Sequence, residues 1–135
     1  MSSVTVELRN VEDSGAAVGW AGGHTVVVDR PPGKAGGQGL GFNGAQLLGL
    51  AVGGCFCNDL RYAAEALGVR LKSLAVTVTV ELGGEPLLAT GATLAVSCET
   101  ADNSDPGAVI ERAKAICTVA NSLRAGMTVS FTPRD

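Results

Sequence analysis

Apolar and polar positions alternate most clearly from Leu74 to Leu82. Leu74, Val76, Val78, Val80 and Leu82 take turns with Ala75, Thr77, Thr79 and Glu81, the two-residue period of a strand with one buried face. Gly83 to Pro86 predicts a turn, and Ala92, Leu94, Val96 and Cys98 alternate in a returning strand. The same period runs through Val4, Val6 and Leu8. Ala16–Trp20 and Thr25–Asp29 follow, set off by turns at Glu12–Gly15 and Gly22–Gly23, so the N-terminus reads as a three-stranded meander. Met127, Val129 and Phe131 predict a last strand.

Between the meander and the hairpin the period changes. Asn43 to Gly68 reads as one helix, about six turns long. Asn43 and Gln46 form a capping box, Phe42 and Leu47 a hydrophobic staple, and Gly68 a left-handed end. Leu47, Leu48, Leu50, Ala51, Val52, Cys55 and Phe56 surround the first three turns, the pattern of a helix buried on every side. The apolar run from Leu47 to Cys57 is too short to cross a bilayer, and Asn58, Asp59 and Arg61 follow it. Gly49, Gly53 and Gly54 interrupt this helix, each costing roughly 1 kcal/mol against alanine. Gly49 and Gly53 lie one turn apart, which leaves room for a second backbone to come close along that side. A second helix is capped by Asp105, with Pro106 at its first position. Its stripe is Ile110, Ala113, Ile116, Cys117 and Ala120, and Asn121–Gly126 ends it. The order βββ-α-ββ-α-β predicts an α+β fold, and 135 residues predict one domain over 1–135.

The net charge of −3 comes with no basic patch and no aromatic cluster, which excludes nucleic-acid binding. MSSVTVELRN carries no basic-then-apolar pattern of a signal peptide, so a cytoplasmic protein with reduced thiols is expected. Its four cysteines then read as catalytic, metal-binding or buried, not as a disulfide framework.

GLGFNG, Gly39 to Gly44, fits GxGxxG. A dinucleotide site needs a strand just before it inside a βαβ unit. Here the loop Arg30–Gly41 precedes it and a hairpin follows the helix, so the glycines read as tight turns and no cofactor is expected. Cys55 and Cys57 form CxC and point about 200° apart on a helix. They cannot bond to each other without unwinding the helix, and they chelate one metal poorly. His24 is the only histidine, the sole partner a Cys–His pair could draw on, and no metal site is expected. Cys98 alternates with core positions, and buried free cysteine behaves as a small hydrophobe. Cys55 and Cys117 differ: each stands on an apolar helical site shortly before a polar segment, NDLR and NSLR. Two thiols from packed helices can reduce a peroxide. One attacks as thiolate and becomes a sulfenic acid, the other condenses with it to a disulfide, and a thiol reductant resets the pair.

NGAQLLGLAVGGCF (Asn43–Phe56) resembles the central-helix signature of the OsmC/Ohr family, and CTVANSLRAGMTV (Cys117–Val129) resembles that family's second cysteine motif. Cysteine spacing, element order and length are similar too. The resemblance implies an intertwined homodimer with two central helices at its middle, which would place a partner's backbone against the glycines. It implies reduction of organic hydroperoxides, with Cys55 attacking and Cys117 resolving. The reductant it implies is a thiol, in some relatives a dihydrolipoyl protein. Two positions depart from the pattern. Ala45 stands where the family usually has a glutamate, and His24 follows the glycine pair where an arginine is usual. The supporting candidates are therefore His24, Arg30, Asp59 and Arg124, with Arg61 a further cation. The same departures motivate the alternative of a non-peroxidase member that binds a small apolar ligand or a redox partner at the interface.

Overall fold

A computed structural model describes residues 2–134, which fall into two compact units, 2–48 and 49–134. In the first unit, β1 (Glu7–Asn10), β2 (Ala17–Ala21) and β3 (His24–Val28) form an antiparallel meander in that order. Leu8 pairs with Gly19, and Val18 with Val27. Pairing starts at Glu7, later than the alternation from Val4 predicts, and Val4 and Val6 are exposed.

The loop after β3 is ordered by one buried carboxylate. Asp29 accepts backbone N–H groups from Arg30 at 2.8 Å, Gln38 at 3.1 Å and Leu40 at 3.0 Å. These bonds, with Arg30 beside it, hold its acidity below the usual carboxylate range against the opposing effect of burial. Gly41 of the GxGxxG stretch passes so close to β3 that a Cβ would fall 2.0 Å from the Val27 carbonyl oxygen. Phe42 then donates to that oxygen at 2.9 Å. These contacts account for Gly41 within its own unit. The helix α1 (Gly44–Leu67) starts here with the predicted box: Gln46 N–H on Asn43 Oδ1 and Asn43 N–H on Gln46 Oε1, both 2.9 Å.

α1 continues as the core helix of the second unit. It ends at Gly68, whose φ of +68° allows Val69 N–H to reach the Ala64 carbonyl at 2.8 Å and Gly68 N–H to reach Glu65 at 3.1 Å. β4 (Leu71–Gly83) and β5 (Leu88–Thr100) make an antiparallel hairpin, longer at both ends than the alternation marks. Phe56, Leu60, Ala63 and Ala64 of α1 form the core with Val109, Ala113 and Cys117, and Leu74, Val76, Leu94 and Val96 of the hairpin pack on it. The fold class is α+β, as the periods predict.

Further details differ from the sequence reading. The second helix stops at Cys117 and restarts, giving α2 (Gly107–Ile116) and α3 (Thr118–Ala125), so Asn121 and Arg124 are helical and not part of a terminating turn. Pro106 is the cap of α2 and not its first residue, and Asp105 Oδ1 accepts Gly107 N–H at 3.2 Å. Met127, Val129 and Phe131 lie in an exposed segment that pairs with no strand among the described residues. Within the chain, the Gly49–Gly53 side of α1 packs on β4: ideal Cβ atoms would stand 3.5 Å from Val80 at Gly49 and 2.7 Å from Val78 at Gly53. Burial of α1 is also one-sided within the chain, since Leu50, Ala51 and Gly54 are exposed.

Candidate functional site

The second unit brings three reactive groups together. Cys55 and Asp59 are four residues apart on α1, hence on one face. Asp59 is buried, Cys55 half-buried, and Cys55 Sγ donates to Asp59 Oδ2 at 3.5 Å. Cys117 supplies the third group from the junction of α2 and α3. Its extended backbone (φ −65°, ψ 103°) parts the two helices, and only 1% of it is exposed. The two sulfurs and an Asp59 oxygen all lie within 4.8 Å of one another.

The break that presents Cys117 is held by the polar residues after it. Asn121 N–H returns to the Cys117 carbonyl at 2.9 Å, and Asn121 Nδ2 donates to the Ala115 carbonyl at 3.1 Å. A helix carbonyl that would otherwise lack a partner at the break is thereby satisfied. Arg124 in turn donates to Asn121 Oδ1. Asn121 of the NSLR segment thus anchors the backbone that carries the sulfur. Sequence reading marked these residues as polar neighbours but missed this anchoring, because it required knowing where the helix breaks.

Burial pushes the Cys117 thiol up to about 11, and Asp59 and Cys55 beside it push the same way. The backbone N–H of Ala120, in the first turn of α3, pulls in the opposite direction. Its neighbours and its burial thus favour the thiol of Cys117 over its thiolate.

Arg61 donates to the Leu71 carbonyl at 3.5 Å, and Arg124 serves Asn121. Arg30 and His24 belong to the first unit. Arg30 Nη1 donates to the Gly15 carbonyl at 2.9 Å, Nη2 stands 3.5 Å from Asp29 Oδ1, and His24 is the exposed first residue of β3. Cys57 and Cys98 are half-buried free thiols, and burial raises the latter's pKa while Arg61 offsets part of the rise. No described helix is long and apolar enough to cross a membrane.

A family profile described as OsmC-like protein matches residues 36–132. No protein of curated function matches the chain. Among solved structures, the chain is similar to an OsmC-like protein of unknown function from Vibrio cholerae, at 14% identity and a TM-score of 0.77 over 90% of this chain and 94% of that one. It is similar to an organic hydroperoxide resistance protein OsmC from Legionella pneumophila, at 20% identity and a TM-score of 0.61 over 92% and 90% of the two chains. It is similar also to an organic hydroperoxide resistance protein from Elizabethkingia anophelis, at 17% identity and a TM-score of 0.59 over 92% and 89%.

Proposed function

The chain belongs to the OsmC-like protein family, and on that premise we propose that it is a homodimeric, thiol-dependent peroxidase reducing organic hydroperoxides at Cys55 and Cys117. The observation that carries this reading is the triad of two sulfurs and one carboxylate oxygen within 4.8 Å. The substrate class is supported by the Legionella and Elizabethkingia proteins of the same fold, both described as organic hydroperoxide resistance proteins.

The chemistry assigns each group a task. Cys55 is the more accessible thiol and already directs its S–H at Asp59. Asp59 takes that proton as the sulfur attacks one peroxide oxygen. The O–O bond breaks, the departing alkoxide receives the proton, and the products are an alcohol and a Cys55 sulfenic acid. Cys117 then attacks the sulfenic sulfur. Its proton leaves with the hydroxyl as water, and a Cys55–Cys117 disulfide remains. An external dithiol donates two electrons and two protons by exchange, restoring both thiols and becoming a disulfide. Disulfide formation closes the two sulfurs from within 4.8 Å to about 2.05 Å.

The test is a thiol count after one equivalent of cumene hydroperoxide. The expected result is loss of two of the four thiols, with mass spectrometry locating the bond at Cys55 and Cys117. Survival of all four thiols, or unchanged peroxide consumption by Cys55→Ser, would overturn the assignment. Ala45 and the engagement of Arg61 and Arg124 away from the sulfurs favour one other reading, a member that binds a small apolar ligand or a redox partner. Four surviving thiols would select it.

A further inference from the structure

The same three atoms have the composition and spacing of a metal site. We propose that in the reduced protein Cys55, Asp59 and Cys117 bind one divalent cation of the zinc class, with water completing the fourth position. The inference rests on the donor set and its geometry, not on the peroxidase reading.

Two donors four residues apart on one helix face make a chelate across a single turn, the spacing that also lets a helix present two ligands in zinc proteases. Cys55 and Asp59 have that spacing. A tetrahedral zinc with sulfur at about 2.3 Å and oxygen at about 2.0 Å sets those donors about 3.5 Å apart. The Cys55 Sγ to Asp59 Oδ2 distance is 3.5 Å. The third donor comes from a different element, the α2–α3 junction, and lies within 4.8 Å of the other two. Only a small inward shift is needed to complete the triangle.

The donor chemistry selects the ion. Calcium and magnesium take six or more oxygens, which two thiols cannot replace. Copper(I) favours sulfur and gains little from a carboxylate, whereas two thiolates with one carboxylate suit zinc. Three protein ligands leave the fourth position open, the pattern of zinc sites that keep an exchangeable water. The burial that keeps Cys117 protonated is no obstacle, because a bound cation deprotonates a coordinating thiol outright. The buried Asp59 carboxylate gains a cation in place of a thiol proton. No sequence motif marks this donor set, because the third ligand comes from a separate element that only packing brings to Cys55 and Asp59.

The experiment uses the full-length reduced protein, titrated with Co²⁺ and then with Zn²⁺, without peroxide. One Co²⁺ per chain is expected, with thiolate-to-cobalt charge transfer and the visible bands of a tetrahedral site, both abolished by one equivalent of Zn²⁺. Cys55→Ser and Cys117→Ser, each checked for fold by circular dichroism, should lose about half the charge-transfer intensity. Asp59→Asn should keep that intensity but bind at least tenfold more weakly, since even an outer-shell partner is worth about that much. Cys57→Ser and Cys98→Ser should match wild type. Absence of thiolate charge transfer in the wild type overturns the inference, as does a spectrum that neither serine variant at the site alters. A protein that binds cobalt but consumes no peroxide keeps this inference and loses the peroxidase reading. The converse result separates them the other way.

Discussion

Asp59 Oδ2 accepts the Cys55 thiol hydrogen at 3.5 Å, one turn further along the same helix. The family usually supplies a carboxylate from the position that is Ala45 here. Under the proposed mechanism Asp59 is therefore the proton acceptor for the Cys55 thiol. Asp59→Asn retains the shape and removes the base. The rate of peroxide-dependent loss of the Cys55 thiol should fall about a hundredfold or more, the usual range for a positioned base. Stopped-flow mixing of reduced protein with cumene hydroperoxide measures it, and the variant should regain rate as pH is raised.

Cys117 gives a pH signature. Its thiol is pushed up to about 11, chiefly by burial. The thiolate fraction thus grows about tenfold per pH unit through the neutral range, and the sulfenic acid on Cys55 should condense faster in step. Dimedone trapping of that sulfenic acid should be strong at pH 6, weak at pH 9, and strong at both pH values in Cys117→Ser.

The same shift bears on stability. A thiol whose pKa is higher folded than unfolded favours the folded state fully at low pH. Above about pH 9, its unfolded value, the unfolded chain ionises first, so stability declines as pH rises toward about 11. The urea midpoint of wild type should drop across that window more steeply than that of Cys117→Ala, measured in reductant.

The sequence carried the fold because its periods are unambiguous where burial is one-sided. The β4 alternation, the Asn43–Gln46 box and the Gly68 stop are local signals, and each is realised in place. Cys55 and Cys117 stand out as thiols on two apolar helical sites, their separate roles come only from the resemblance, and the packing of α1 on α2 brings the two sulfurs together. What stayed hidden depends on distant partners. The restart of the helix at Cys117 is fixed by Asn121 reaching Ala115, which no periodicity encodes. Periodicity likewise does not encode that Gly49 and Gly53 of α1 receive the valines of β4 within the chain.

Those glycines should respond oppositely to the same substitution. At Gly49 an added Cβ meets Val80 at 3.5 Å, an ordinary contact, and the helix gains about 1 kcal/mol over glycine. At Gly53 it meets Val78 Cγ2 at 2.7 Å. Val78 is β-branched and its χ1 is stiff, so the strand must give, at a cost of about 1–3 kcal/mol that exceeds the helical gain. Gly49→Ala should raise the urea midpoint and Gly53→Ala should lower it, at one fixed protein concentration.

The C-terminal segment carries the proposal of a homodimer. Met127, Val129 and Phe131 alternate as a strand does, yet they are 68%, 69% and 94% exposed and no strand of the described residues pairs with them. An extended apolar row with open backbone groups is a template for another chain. In α1, Leu50 is likewise 54% exposed beside Ala51 and Gly54. A second copy that covers both features would bury them without altering the core around Leu60. Sedimentation equilibrium at micromolar concentration should give a dimer. Replacing Val129 and Phe131 together by glutamate should give a monomer that keeps the wild-type far-ultraviolet circular dichroism of its helices. A wild-type monomer, or a dimer unaffected by the two charges, would show that this segment does not form the interface.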